Sequence, residues 1–448
     1  MRRKFTFIGA GSLGFTRGLV RDILTCEAFR DAEFALMDID PKRLEYSRQG
    51  VEKIIAHSGC PATVMATTDR VEALKGADGV LITILQGGVD IWRSDIEIPK
   101  KYGVDICVGD TRGPAGIFRF LRTAPVMKDI CEDVERYCPG AVVLNYTNPM
   151  AMLCRYLQSE TRANVTGLCH SVQGTAKTIA RWCGATPEDD VQYTCAGINH
   201  QAFYLDFTIN GKDAYPLLRE AVKRPEIAAV EPVRNEIFRS LGYYPTESSG
   251  HNSEYSAWFR KRPDLIEKYC NGTSWNPGRY AAILKMYLDR EDTWEQEFKD
   301  WLAEEGDGVG MPKEYGDMRE YAADIFNAIF GDHTPFPFNG NLRNFGYVTN
   351  LPQGACVEVP VLACREGIIP QKVVRLPDEL QLLVGLSSGC EELAVRGAIE
   401  GDPAHIYHAI LFDPLTSAVL GTEEIRNMTR EMFEKNRAYL SYFKSFDI

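Results

Sequence analysis

"KFTFIGAGSLGFTRGLVRDIL", Lys4 to Leu24, decides the fold. A short apolar run reads as a strand, "GAGSLG" as a tight turn, and the remainder as a helix. Gly9, Gly11 and Gly14 fit G-x-G-x-x-G in that context, with Ser12 inside the turn. Such glycines let a backbone turn sharply and approach a pyrophosphate, the third lets the helix sit close on the strand, and the helix N-terminus stabilises the anion. Outward from this turn, "AEFALMDIDPKRLEYS" gives a second strand ending at Asp38, 24 positions after Gly14. That is near the roughly 20 residues expected of a ribose-binding acid. An acid there repels a 2′-phosphate and so favours NAD over NADP. Asp40 is the alternative ribose partner.

The strand–helix alternation continues. "GADGVLITIL" reads as a strand, "PVMKDICEDVERYC" as an amphipathic helix, "GAVVLNYTNP" as a strand with a polar end, and "ANVTGLCHS" as another strand. Asn145, Asn148 and Cys169 fall at strand ends, where doubly wound sheets bind ligands. The expected architecture is α/β. A Rossmann-like N-terminal domain over 1–195, of the lactate/malate dehydrogenase kind, precedes a mixed α+β domain over 196–448. In the second half, segments 226–244, 280–306 and 318–331 read as helices, and 357–373 as strands with a turn. The charged stretch 290–316 reads as a solvated helix and loop. The second domain is expected to close over the first, with a cleft between them.

Composition narrows the function classes. The chain has 448 residues, 45% hydrophobic and 25% charged, as a soluble globular protein does. A net charge of -12 argues against nucleic acid, whose phosphates need a basic surface. No apolar run reaches the roughly 18 residues of a membrane span. The N-terminus "MRRKFTFIGAG" runs into glycines without a cleavage site, so it reads as a strand of a cytoplasmic protein and not as a signal peptide. The 13 cysteines are scattered and include no C-x-x-C, so most read as reduced and buried.

Two stretches carry chemistry. "GLCHSVQGTA" sets Cys169 beside His170, and "AGINHQAF" adds His200. A Cys/His nucleophile pair is one reading, although neighbours on one strand point to opposite faces. A metal site is a second, because thiolate and imidazole suit a borderline divalent ion. Ordinary buried side chains are the third. A hydroxy-acid dehydrogenase shares this nucleotide fold, but it needs a His-Asp relay beside a substrate arginine. "GDTRGPAGIFRFLRT" supplies Arg112, Arg119 and Arg122 without a matching relay. These arginines are open to a phosphate-binding role or to a place on a solvated helix face.

Taken in order, "FIGAGSLGF", "LMDID", "GDTRGPAGIFRFLRT", "NYTNPMAM", "GLCHSVQGTA", "AGINHQAFYL", "TESSGHNSEYSAWF" and "NLPQGACVEVP" resemble family 4 of the glycoside hydrolases, most closely its α-galactosidase branch. The resemblance runs from about residue 4 to residue 420. It implies a glycosidase that needs NAD and a divalent ion, usually Mn2+, and that departs from the usual pair of carboxylates. In the implied reaction the sugar C3 is oxidised, C2 is deprotonated, the leaving group is eliminated, water adds, and C3 is reduced again. By the same resemblance Cys169 and His200 are the metal ligands, and Tyr255 is the base at C2. Tyr255 would need a nearby cation to bring its pKa down from about 10. Asn148 binds the sugar, and Asp110 lies on a loop close to substrate or metal. Read from the residues alone, His251 is either a third metal or sugar contact or an ordinary surface-loop histidine. His170 or Asp110 would protonate the leaving oxygen. The absence of a compact basic motif favours an unphosphorylated sugar, and Ser171 favours the α-galactosidase branch over the α-glucosidase one. α-Galacturonides, α-glucuronides and α-glucosides are the alternative substrates, with Arg112 or Arg119 pairing a uronate carboxylate. A homodimer or homotetramer is implied by the resemblance alone.

Overall fold

The computed structural model describes residues 2–305 and 320–448. Six parallel strands come first: β1 (Lys4–Ile8), β2 (Glu33–Met37), β3 (Thr63–Thr67), β4 (Gly79–Ile82), β5 (Val142–Asn145) and β6 (Asn164–Leu168). Their spatial order is β3-β2-β1-β4-β5-β6. This is the dinucleotide-binding order, and it places the switch point between β1 and β4. The strands read as apolar runs because helices cover both faces of a parallel sheet.

The sheet then continues without a break into the second half of the chain. β7 (Val191–Ile198), β8 (Gln201–Ile209), β9 (Lys212–Asp213), β10 (Phe336–Arg343), β11 (Cys356–Cys364) and β12 (Gly367–Pro370) complete twelve strands. β10 pairs antiparallel with β6, β11 follows it, and β7 lies against β11. The sheet thus returns to β7 only after strands that lie more than a hundred residues later. The hairpin β7–β8 is absent from the sequence reading, because its two-residue turn is Asn199-His200 and not the usual Asn-Gly.

Side chains from the second half also fill the first core. Phe326, on the helix Ala322–Phe330, stacks 4.8 Å from the ring of Phe5 on β1. An added Cβ on Gly79 would sit 2.6 Å from that Phe326 ring, so glycine is what lets the helix approach β4. On the opposite face, Asp378–Glu400, Pro403–Leu411 and Thr422–Asn436 pack on a long helix, Gly113–Tyr137. That helix begins well before the expected 125–138 and runs through Pro125. Its arginines are not on a solvated face. Arg122 pairs with Asp95 at 2.5 Å, with both side chains fully buried, and Arg119 lies 4.9 Å over the ring of Trp92. The helices expected in the second half are present in shorter pieces, at Pro232–Leu241, Ala282–Glu291 and Trp294–Ala303. The loop half of 290–316, from residue 306 on, lies outside the described residues. Among the described residues no helix is long and apolar enough to cross a membrane, and no two cysteines form a disulfide.

Candidate active site

The glycine turn sits at the end of β1. Gly9 has φ +89, and a Cβ there would meet the carbonyl oxygen of Thr83 at 2.4 Å, so only glycine fits. A Cβ on Gly11 would lie 2.7 Å from Asp38 Oδ2. Instead the Gly11 N–H donates to that oxygen at 2.7 Å, tying the turn to the end of β2. Gly14 behaves differently from expectation. An added Cβ would meet nothing within 4 Å, so this glycine does not set the helix against the strand. Ser12 is the N-cap of Leu13–Leu24 and makes no side-chain cap, and the first turn carries no acid. The N–H groups at that helix start are thus free of competing side-chain anions, which suits a pyrophosphate. The two acids separate cleanly. Asp40 caps Pro41–Ser58 by accepting from the N–H groups of Lys42 and Arg43 at 2.9 and 3.1 Å. Asp38 is left as the carboxylate at the turn.

The second cluster forms where three distant segments meet. Cys169 follows the last residue of β6 and is buried. His200 is the second residue of the β7–β8 turn, with φ +63. Glu247, also at φ +63, precedes the short helix Ser249–Glu254. Left-handed backbone at a non-glycine residue costs on the order of 1 kcal/mol, and such strain gathers at functional sites. One ligand atom each from Cys169, His200 and Glu247 lies within 4.8 Å of the other two, and the same holds for Asp110, His200 and His251. His200 belongs to both triplets. The sulfur, imidazole and carboxylate set suits a borderline divalent ion such as Mn2+ or Zn2+.

The hydrogen bonds around His200 orient it for that role. Thr111 Oγ1 donates to Asp110 Oδ1 at 2.7 Å and lies 2.9 Å from His200 Nδ1. The Thr111 proton is therefore committed to Asp110, and its oxygen accepts from Nδ1–H. That tautomer turns the Nε2 lone pair toward Glu247 Oε2, 3.6 Å away. Burial lowers the His200 pKa to about 4, so the imidazole is neutral, as a metal ligand must be. Burial alone would raise Glu247, but His251, His200 and His170 together hold it down at about 2. Burial and the Glu247 charge push the Cys169 thiol well above its usual range. A cation among these groups would reverse that.

The other predicted residues fall around this centre. Tyr255 is buried, with its hydroxyl 3.3 Å from His200 Nδ1. Burial and then Asp110 push its pKa well above 10, while Arg112, 4.6 Å over its ring, pulls it back. Asp110 is held below its ordinary value. Burial opposes this, but His251, His200 and Arg119 outweigh it. Asn148 Nδ2 donates to Asp110 Oδ2 at 3.1 Å. His251 Nδ1 lies 2.7 Å from Ser248 Oγ and 3.3 Å from Glu247 Oε1, and its ring is 5.0 Å from that of His200. Arg112 is committed elsewhere: Nε donates to Glu391 at 3.0 Å and Nη2 to the Asn199 carbonyl at 2.6 Å, which pins the turn that carries His200. His170 points outward, its side chain 60% exposed, and Glu320, 3.5 Å away, raises its pKa.

Sequence reasoning missed Glu247, Thr111, Ser248 and Glu320. Glu247 stands four residues before His251 inside a quoted motif, yet nothing in its neighbours marks it as buried. Only the meeting of β6, the β7–β8 turn and this loop reveals it.

The sequence matches the Family 4 glycosyl hydrolase model over residues 4–185 and its C-terminal domain over 195–416. This chain belongs to glycosyl hydrolase family 4. It is 36% identical to an α-galactosidase of Rhizobium meliloti, covering 98% of this chain and 89% of the relative. It is also 36% identical to one of Bacillus subtilis, covering 99% and 100%. Its fold is similar to that of a 6-phospho-α-glucosidase from gut microorganisms, crystallised with NAD and Mn2+, with a TM-score of 0.82 at 20% identity over 98% of this chain and 99% of the other. In this chain the dinucleotide-type crevice lies at the β1–β4 switch point, and the Cys169–His200–Glu247 centre is built farther along the same sheet, from the end of β6, the β7–β8 turn and the loop before Ser249–Glu254.

Proposed function

We propose that this family 4 enzyme hydrolyses unphosphorylated α-galactosides with the help of NAD and a divalent ion such as Mn2+. The observation that carries this reading is the buried Cys169–His200–Glu247 centre at the carboxyl edge of a dinucleotide sheet, in a chain 36% identical to two α-galactosidases. When bound, the dinucleotide would supply reversible hydride transfer and the cation Lewis acidity toward sugar hydroxyls. Gly9, Gly11, Ser12 and Gly14 would cradle the pyrophosphate, and Asp38 would take the ribose. Cys169, His200 and Glu247 would hold the cation.

Tyr255 would accept the C2 proton, its hydroxyl already aimed at the His200 ring. Asn148 and His251 would orient the sugar hydroxyls. The two candidates for proton donor separate on charge. Asp110 is held ionised and is a poor donor near neutrality. His170, raised by Glu320 and exposed at the rim, retains a proton to a higher pH, so we assign it the leaving oxygen. Arg112 serves Tyr255 and the His200 turn and not the substrate. The neighbouring buried guanidinium of Arg234 is similarly engaged, with Thr175 at 2.7 Å and with Glu231. Both guanidiniums are thus held in place by protein partners. We keep residues 1–195 as the NAD-binding half and 196–448 as the half that covers substrate and builds a cytoplasmic homo-oligomer.

The test is release of nitrophenol from α-galactoside, α-glucoside, α-galacturonide and α-glucuronide, with and without NAD+, Mn2+ and a thiol reductant. Cleavage of the α-galactoside that needs both cofactors and leaves no net NADH is the expected result. Stoichiometric NADH from a free sugar, without glycoside cleavage, would mean a dehydrogenase instead.

A further inference from the structure

An indole stands exposed at the rim of this site with its backbone locked. Trp275 is 68% exposed, the most open tryptophan among the described residues, and its ring centroid lies 6.0 Å from that of His251. The residue after it is fully buried and tied to the centre. Asn276 accepts from the Gly250 N–H through its carbonyl at 2.9 Å, and its Nδ2 donates to Ser248 Oγ at 3.1 Å. Its Oδ1 accepts from the Cys107 thiol at 3.2 Å. A Cβ on Gly250 would fall 2.1 Å from the Asn276 side chain, so the segment is seated directly on the helix that carries His251. The indole thus stands next to an anchored residue, one ring away from His251 and two from His200.

Leaving so large an apolar face in water forfeits stabilisation that burial would give, and no neighbour among the described residues covers it. An aromatic face takes up the C–H face of a pyranose readily, because both are apolar and the ring's negative π-surface attracts polarised C–H groups. A reacting sugar held by Asn148, His200 and His251 ends at the His251 ring, and the indole stands one ring beyond it, within reach of the group attached to that sugar. We propose that Trp275 is the binding platform for a pyranose leaving group. This makes the enzyme selective for α-galactosyl-hexose disaccharides and oligosaccharides over simple alkyl α-galactosides. The inference rests on the glycosidase reading above.

The test has two arms. In the first, kcat/KM is measured for an α-galactosyl-hexose disaccharide and for methyl α-galactoside with wild type, Trp275→Ala and Trp275→Phe. Trp275→Ala should lose roughly 5- to 10-fold on the disaccharide, as expected for one aromatic contact, with methyl α-galactoside unchanged and Trp275→Phe recovering part of the loss. Equal losses on both substrates, or none, would overturn the platform. In the second, oxidation of Trp275 and Trp258 by N-bromosuccinimide is followed by peptide mass spectrometry with the full chain and either sugar. Protection of Trp275 alone, by the disaccharide and not by methyl α-galactoside, is expected. Absence of sugar protection, or protection that follows protein concentration, would refute the proposal and in the second case mark a subunit contact. If wild type cleaves no α-glycoside, the glycosidase reading fails, and this second arm still decides whether Trp275 binds sugar.

Discussion

Replacing Glu247 by Gln removes one charge from the centre and keeps the shape. The carboxylate lies 3.6 Å from His200 Nε2 and 4.0 Å from Cys169 Sγ. A cation held among these three ligands would lie within about 4 Å of the carboxylate, where a unit charge pair is worth about 4 kcal/mol at an effective dielectric of about 20. An amide oxygen retains part of that as a dipole. Mn2+ affinity should therefore fall at least about 100-fold, or ~2.7 kcal/mol. Titration of the chelated, repurified protein with Mn2+, followed by the electron paramagnetic signal of the free ion, measures this directly. The same substitution should weaken the metal-free fold. Glu247 is held at about 2 against an ordinary 4.5, so its ionised form contributes stability above pH 4.5 that is lost as pH falls toward 2. Thermal midpoints of the metal-free wild type should therefore fall as pH drops from 4.5 toward 2, and Glu247→Gln should flatten that fall. Mn2+ affinity within threefold of wild type would refute Glu247 as a ligand and return the centre to Cys169 and His200 alone.

Three further outcomes follow from the same geometry. His200 is neutral in the fold with a pKa of about 4, against 6.5 when unfolded. The unfolded chain therefore takes up a proton first as pH drops, and metal-free stability should decline from pH 6.5 to 4 by up to about 3 kcal/mol. Thermal midpoints across that range should show the slope, and His200→Asn should flatten it. Tyr255→Phe should lower kcat by roughly 100-fold or more and abolish solvent-deuterium exchange at C2, with Mn2+ affinity unchanged; persistent exchange would remove Tyr255 from the role of base. Phe326→Ala, which empties the contact between the late helix and β1, should cost about 3–5 kcal/mol, readable in denaturant unfolding. A cost under 1 kcal/mol would show that the late helix does not support the nucleotide sheet.

The nucleotide half was legible because its signals are local. An apolar strand, a turn at φ +89 that only Gly9 can occupy, and an acid one strand later all lie within forty residues. The motifs bearing Cys169, His200 and Tyr255 were also visible as residue types, and their order along the chain carried the family resemblance. What the sequence by itself could not determine is which side chains share a cavity. Glu247 and Thr111 look like ordinary polar residues until β10 and β11 insert between β6 and β7 and bring the His200 turn beside Cys169. The same closure decides charge. Arg112 donates to Glu391, 279 residues away, and Asp40 accepts from the helix it caps, partners that no local pattern announces. Periodicity reports which face of an element is apolar. Register between distant strands, and the burial that shifts each pKa, exist only once the whole sheet has formed.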